Sequence, residues 1–502
     1  VPEDELELSQ DPDVLDTWFS SGLFPFSTMG WPNEDSSDLK GFFPGHLLET
    51  GMDILFFWVA RMVMMSRALT GKLPFDKVYL HAMVRDRYGR KMSKSLGNVI
   101  DPLEVINGAT LEELHEKLRS GNLPEKEVKK AIEGQKMEYP EGMPECGADG
   151  LRFGLLSYTV QGRDVNLDVN RVFGYRKFCN KLWNMYKFAD GMGSLSTFKP
   201  SADIDEGILS MALSERDRWI LSRCATAAKK TGKNIEDYQF GAACNVIYDF
   251  FLKELCNVYL ELVKPVLRGE DGPQKLAARA TLFLCIDVGL RLAHPVMPFI
   301  TEELFQRLPK REGDTTETIS LAKFPDAENS SMKNWINVEQ EGKLSTVLGV
   351  VEAFLGLRGD YLTGQYSNKR PEAFYTCSNQ DAATVAAQSD DIMTLGKLTS
   401  LNKLEDGASA PAGCCAKAVG GNMQVFVQLK GLVDFSKEIT KLEKETRKVK
   451  QAMAAIDKKK NAPGYDSAPI EVHTRNDEKY AELAGKLKLV EDSIATFSEL
   501  AQ

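Results

Sequence analysis

The chain has 502 residues, 43% hydrophobic and 27% charged, with a formal net charge of −10. That length admits several hydrophobic cores, roughly three to four domains. The acidic balance excludes indiscriminate nucleic-acid binding but leaves room for a local basic face, because screening confines exposed charges to about 8–10 Å.

No apolar run approaches the ~20 residues needed to cross a bilayer. The strongest, Ile54 to Met65, is short and holds Arg61, so it reads as a buried helix and no membrane partner is expected. The nine cysteines are scattered without a C-x-x-C. This argues against a zinc ribbon or a disulfide framework and fits a reducing compartment. The chain opens Val1-Pro2-Glu3, with neither an initiator Met nor a signal pattern, and reads as beginning inside a longer protein.

In residues 1–105 a polar opening leads to Asp16-Thr17-Trp18-Phe19-Ser20-Ser21-Gly22. A Gly/Pro-rich stretch follows, then a helix expected over Gly51 to Leu69. The apolar run Lys77 to His81 reads as a buried strand feeding the loop Lys91-Met92-Ser93-Lys94-Ser95. Strand, helix and strand with polar chemistry past a strand end point to an open α/β sheet, whose sites gather at strand carboxyl ends. The loop sets two ammonium groups three residues apart between Gly and Ser, able to fold over a triphosphate; a solvated Lys/Ser turn is the plainer reading.

Gly51 permits close backbone approach and Asp53, at a helix start, can take the two hydroxyls of a ribose. Asp53 can equally be an acidic residue on the helix dipole. Ile54 and Trp58 lie four apart on one face and, with Trp18, form either core packing or the wall of an apolar pocket. His81 is a strand cap or a nucleotide contact. Asp16 and Arg61 are either a buried pair or a structural contact.

Residues 106–150 hold charged helix (Thr110 to Leu118, Glu125 to Gln135) broken by Pro140 and Pro144. From Gly150 to about Pro309 the pattern is helical, with Leu213 to Lys230, Gly241 to Lys264 and Gln274 to Leu308 spaced as an antiparallel bundle, placed as a domain at 206–330. Residues 331–430 read as a small α/β module, with strand alternation at Met423 to Leu429. In 431–502, Phe435, Ile439, Leu442, Thr446, Val449, Met453 and Ile456 step by four and three. The pattern resumes at Tyr480, Leu483, Leu487, Val490, Ile494 and Phe497, as a coiled-coil hairpin. The expected first arm, 437–460, carries nine Lys/Arg against four Asp/Glu.

Taken together, D-x-L-D-T-W-F-S-S, E-T-G-M-D-I-L-F-F-W-V-A-R-M, L-H-A and K-M-S-K-S-x-G-N-V-I-D-P resemble the second half of the catalytic domain of class I aminoacyl-tRNA synthetases. Within them the wording of Val14 to Ser21 and Pro25 to Pro32 is similar to the valyl branch. The isoleucyl branch would show W-F-D-S-G and usually zinc-binding Cys pairs. The resemblance runs on through Gly147 to Phe153, Gly162 to Asn166, Asn180 to Asn184 and Ala293 to Phe299. The long segment between Pro102 and Gly147 is eukaryotic-like.

The resemblance implies a partial Rossmann-like catalytic domain at 1–105, a stem-contact region at 106–205, a helical anticodon-binding domain and a tRNA-binding arm. It implies ATP-dependent activation of valine to valyl-adenylate, with Mg2+ entering as the ATP complex and no protein-bound metal, then transfer to tRNA(Val). Lys91 and Lys94 would neutralise the triphosphate at the transition state, with Met92 and Ser93 contacting the nucleotide. Gly51 and Asp53 would bind the ribose, His81 would lie at the adenine, and Trp18, Ile54 and Trp58 would wall the valine pocket. Such a pocket excludes isoleucine by size but not threonine, for which the valyl enzymes are the stock example at about 10².

The chain contains no H-x-G-H, and its five histidines include His46 in Pro44-Gly45-His46-Leu47, which is no substitute. The expectation is therefore half an active site, completed by an N-terminal synthetase half that also brings editing. The alternatives are a non-catalytic tRNA-binding fragment and an isoleucyl or leucyl relative. A cytoplasmic setting is expected, with the mitochondrion as the alternative.

Overall fold

The computed structural model describes residues 9–93, 96–159, 164–193, 195–377, 379–405, 410–420 and 423–460, and scattered positions between 465 and 498. Lys94, Ser95, Gly162, Arg163 and Val490 lie outside the described residues. The chain divides into two compact units. One comprises Val1–Ser210, Cys224–Leu255 and Arg279–Asn334; the other comprises Met211–Arg223, Cys256–Ala278 and Trp335–Gln502.

The first unit opens with α1 (Thr17–Ser27), capped by Asp16, whose carboxylate accepts the Trp18 N–H at 2.8 Å. After α2 (Ser37–Phe42), strand β1 (Gly45–Gly51) pairs in parallel with β2 (Phe75–His81) across α3 (Ala60–Thr70). Val59, Met62 and Phe75 form the small core beneath them, with Leu48, Trp58 and Val63 packed against it. The helix expected from Gly51 starts differently. Gly51 ends the strand, Met52–Ile54 is a 3₁₀ turn, and Leu55–Val59 is a π turn before the α-helix proper. Single π turns inside helices recur at functional sites, because they shift the side chains off the regular face.

A second parallel pair joins β3 (Val84–Asp86) to β4 (Val165–Leu167). So β2 does not run straight into the Lys/Ser loop, and the region past Gly150 is not purely helical. Between these strands lie α4 (Pro102–Asn107), α5 (Leu111–Ser120), α6 (Glu125–Glu138) and α7 (Ala148–Ser157). Thr110 and Glu113 close a full capping box on α5, the Thr side chain and the Glu carboxylate each satisfying an orphan N–H.

The long helix α8 (Val169–Gly193) packs on α7, with Phe153 and Phe178 rings 5.5 Å apart. Further helices follow: α9 (Ile204–Gly207), α10 (Glu215–Glu236), α11 (Phe240–Asp249), α12 (Leu260–Arg268), α13 (Pro273–Ala293) and α14 (Pro298–Phe305). The expected continuous run to Leu308 is split at His294-Pro295, since proline removes a helical N–H.

In the second unit α15 (Val338–Tyr361) packs on a four-stranded sheet. The sheet is built of β5 (Glu372–Thr376), β6 (Ser400–Lys403), β7 (Cys414–Gly420) and β8 (Met423–Gln428), in the order β6-β5-β8-β7. Helices α16 (Asn379–Ala387) and α17 (Ser389–Gly396) complete this α/β module. The last long helix, α18 (Phe435–Lys460), shields every expected seam position from Phe435 to Ile456. Lys450 pairs with Glu491 at 2.8 Å and the Phe435 ring meets Phe497 at 5.8 Å. Tyr480, Leu483, Leu487, Ile494 and Phe497 are helical.

Candidate active site

Parallel strands place their carboxyl ends side by side, and here Gly51 is opposite His81. A Cβ built on Gly51 would come within 2.7 Å of the Asp53 carboxylate and 3.6 Å of the His81 ring, with Met83 Sδ at 3.4 Å. Gly51, Asp53 and His81 therefore share one corner, where a larger residue at 51 would displace the Asp53 carboxylate. The 3₁₀ turn after Gly51 brings Asp53 back over the strand end, exposed to solvent. His81 Nε2 stands 3.6 Å from Glu49 Oε1. A cleft of about 610 Å³ opens here, lined among others by Met52, Tyr79, His81, Met83 and Tyr238.

The aromatic candidates sit between α1 and the π turn. Trp58 Nε1 donates to the Ser21 carbonyl at 3.3 Å, which ties the two elements. Trp18 lies under the Arg61 guanidinium, 5.4 Å from its ring centroid. Trp18, Ile54 and Trp58 are each half-buried. Arg61 and Asp16 are both exposed and both meet Trp18, Asp16 at its N–H as the α1 cap and Arg61 at its ring, so a buried Asp16–Arg61 pair is not what forms. Around the π turn, Phe56 and Phe57 expose 77% and 53% of their surface and Met64 further on exposes 70%, so the run Ile54 to Met65 is not the buried helix expected.

The Lys/Ser loop leaves β3 through a tight turn in which Gly89 N–H donates to Asp86 O at 2.9 Å with φ +77°. Asp86 is fully shielded. One of its oxygens accepts from the N–H groups of Tyr88 (3.1 Å) and Arg90 (2.8 Å). The other accepts from Arg90 Nε (2.6 Å) and Asn98 Nδ2 (2.9 Å). Burial alone would raise this carboxyl, yet the Asn98 and Arg90 donors outweigh it and hold Asp86 below the usual carboxylate range. Asn98 Oδ1 accepts the Ser93 N–H at 2.9 Å, and its Nδ2 reaches the Lys91 carbonyl at 3.4 Å.

Helix α6 seats the loop exit. Glu138, nearly buried, pairs with Arg87 (3.1 Å) and Arg90 (3.5 Å). A Cβ on Gly97 would overlap the Ala131 carbonyl, and one on Gly134 the Leu96 carbonyl.

Lys91 is exposed and Met92 and Ser93 are half-buried. Lys94 lies outside the described residues. Asp86, Asn98 and Glu138 escaped sequence reasoning, although Asn98 stands in the K-M-S-K-S-x-G-N string and Asp86 ends the short strand Val84-Arg85-Asp86 just before it. Two other motif strings meet through structure. Asp149 accepts the Phe299 (3.2 Å) and Ile300 (2.7 Å) N–H groups of α14, and Arg152 donates to the Val296 and Pro295 carbonyls at 3.0 Å each.

Residues 2–168 match the family described as tRNA synthetases class I (I, L, M and V), and residues 217–370 match the anticodon-binding domain of tRNA ligase. The chain is 47% identical over 503 residues to a valine–tRNA ligase of Rattus norvegicus, covering 100% of this chain and 39% of that protein. A Caenorhabditis elegans valine–tRNA ligase is 44% identical over 510 residues, 100% of this chain and 47% of that one. The mitochondrial valine–tRNA ligase 1 of Arabidopsis thaliana is 42% identical over 503 residues, 98% and 44% respectively. The chain thus spans 39% to 47% of the length of these relatives.

Proposed function

The chain carries class I tRNA synthetase sequence followed by a tRNA-ligase anticodon-binding domain, and from that premise we propose that it serves valine–tRNA ligation. In this reading valine and ATP react to valyl-adenylate and pyrophosphate, and the valyl group passes to the terminal adenosine of tRNA(Val). The observation that carries it is the open corner where Gly51, Asp53 and His81 converge at the ends of two parallel strands.

Asp53 accepts the ribose hydroxyls and His81 meets the adenine, while Gly51 admits the nucleotide backbone. Lys91, with Lys94, neutralises charge that builds on the leaving pyrophosphate, where preorganised cations count most; Met92 and Ser93 shape the nucleotide side of the loop. ATP enters as its Mg2+ complex. Trp18, Ile54 and Trp58 bound the apolar niche for the valine side chain. The helical region 206–330 reads the anticodon loop, where bases stack on aromatic and Arg planes. The basic α18, as one arm of a coiled-coil hairpin, follows the tRNA backbone. The setting is the cytoplasm.

The test is valine-dependent ATP–pyrophosphate exchange by the chain supplied with the N-terminal segment of a eukaryotic valine–tRNA ligase. Exchange with valine, about 10²-fold weaker exchange with threonine and little with isoleucine are expected. Asp53→Ala should raise KM for ATP, and Lys91→Ala should lower kcat. Preference for isoleucine or leucine would replace the amino acid assigned. Tight tRNA binding without exchange would favour a non-catalytic tRNA-binding protein.

A further inference from the structure

The Lys/Ser loop is usually thought of through its lysines, but what its described residues show most clearly is how the loop is held. Two buried polar side chains, one on each side of it, account for the geometry. Asp86 precedes the loop and gathers donors from its entry turn; Asn98 follows it and takes the Ser93 N–H. They join each other through a single contact, Asn98 Nδ2 to Asp86 Oδ2 at 2.9 Å, with Asn98 1% exposed and Asp86 0%.

Buried polar groups persist only when paired, and this pair is satisfied mainly by the backbone it fixes. Its Asn98 end touches Lys91 O and Ser93 N directly, so a shift of the pair displaces the segment bearing the first ammonium. The Asp86 end is braced from α6, because Glu138 grips the same Arg90 that Asp86 binds.

Resting on the valine-activation reading, we infer that Asp86 and Asn98 are positioning residues: a buried pin that sets the Lys91–Ser93 limb of the loop for the phosphates. Neither touches substrate. Their effect is on placement, and so falls on the transition state more than on ground-state valine binding.

The pin makes a demand that general stability does not. Asp86 acts as acceptor and Asn98 supplies the joining N–H. In Asp86→Asn/Asn98→Asp the donor moves to position 86, and the carboxylate at 98 still accepts the Ser93 N–H. Asn98→Asp alone sets two carboxylates against each other and breaks the joint. The exchanged pair restores the joint and the Ser93 contact, while giving up the bonds to Arg90 Nε and the Lys91 carbonyl, so recovery is partial.

Four proteins decide the matter: Asn98→Ala, Asp86→Asn, Asn98→Asp and the double exchange, each checked for an unchanged thermal midpoint. Asn98→Ala is the safeguard for folding, since it leaves Asp86 its Arg90 and backbone donors. In this chain by itself, hydrogen exchange at the Ser93 amide should quicken about fivefold or more in Asn98→Ala, the worth of one net hydrogen bond. In the completed enzyme, kcat for valine-dependent exchange should fall about 10- to 100-fold in the single variants, with KM for valine little changed, as for a displaced reacting group. The double exchange should recover at least about tenfold over Asn98→Asp, since neighbouring substitutions are non-additive. The inference is overturned if Ser93 stays protected in folded Asn98→Ala, or if the double exchange is no better than the single variants. Should the unaltered protein show no valine-dependent exchange, the functional reading falls while the Ser93 amide still decides the pin.

Discussion

Asp86 and Glu138 share Arg90, and their carboxyls are shifted in opposite directions. Hydrogen bonds from Asn98 and Arg90 keep Asp86 low despite burial, whereas burial of Glu138 outweighs Arg87 and Arg90 and pushes its carboxyl up. For Asp86 the folded value lies below the unfolded one, near 3.9. Its contribution is therefore complete above about pH 4 and is lost as the pH falls through the folded value. For Glu138 the sign reverses: its contribution is present below its ordinary value, near 4.3, and is lost as the pH rises towards the raised one. Thermal unfolding between pH 6 and 3 should fall less steeply in Asp86→Asn than in the unaltered chain, and more steeply in Glu138→Gln. Parallel curves would contradict both assignments.

The cysteines follow the same logic. None of the nine is in a disulfide and all but Cys414 are buried. Burial pushes Cys179, Cys244 and Cys415 up to about 12, and Cys146 and Cys414 up to about 11. Since the thiolate is the reactive form, the folded chain should react slowly with a thiol reagent at pH 7.5. Cys414→Ser should remove most of the early reaction, and rapid modification of several thiols would show that the cores open readily.

At the scale of elements, the loop exit is fixed by backbone contact. Gly97 has φ +65° and no room for a Cβ against α6. Gly97→Ala should cost roughly 1–3 kcal/mol through strain and overlap, measured by urea unfolding. A neutral result would mean that α6 is not seated on the loop. No reading of residues 96–98 alone could foresee this, because the partner carbonyl lies more than thirty residues on. The helices α5 and α6 and the seam of α18 were legible, since each shows its own period over several turns; β2 was legible as a strand, but it is not the buried one expected, for Lys77 and Val78 are exposed.

The strands β3 and β4 were not legible. Three residues carry too little alternation, and each exists only because the other pairs with it. The start of the Asp53 helix was half legible: its apolar residues are helical in spacing, but a π turn obeys no 3.6-residue rule. For the candidate site, Gly51, Asp53 and His81 were named through the family resemblance, and the fold brings the three to one corner. Asp86 could not be named, since its role is set by Asn98 and Arg90 closing on it after folding.

At the scale of the whole molecule, the proposed function asks a chain of net charge −10 to bind RNA. The two are compatible if cations are gathered on one face within a screening length. On α18 the apolar seam is covered, while Lys444, Arg447, Lys448, Lys458 and Lys459 are exposed. Lys437, Lys450 and Lys460 form ion pairs with Asp434, Glu491 and Asp477. Substitutions of exposed side chains outside packed contacts change stability little, so exchanging Lys444, Arg447, Lys448, Lys458 and Lys459 should leave folding intact while changing affinity. Each phosphate contact adds about 0.7–0.9 to the slope of log K against log salt. Replacing Lys444 and Lys448 by Gln should therefore lower the slope for tRNA(Val) by about 1.5, with a similar weakening for any tRNA, because phosphate contacts carry no sequence. Binding titrations from 50 to 300 mM salt measure it. An unchanged slope would assign α18 to packing or self-association, and leave recognition to the helical region that precedes it.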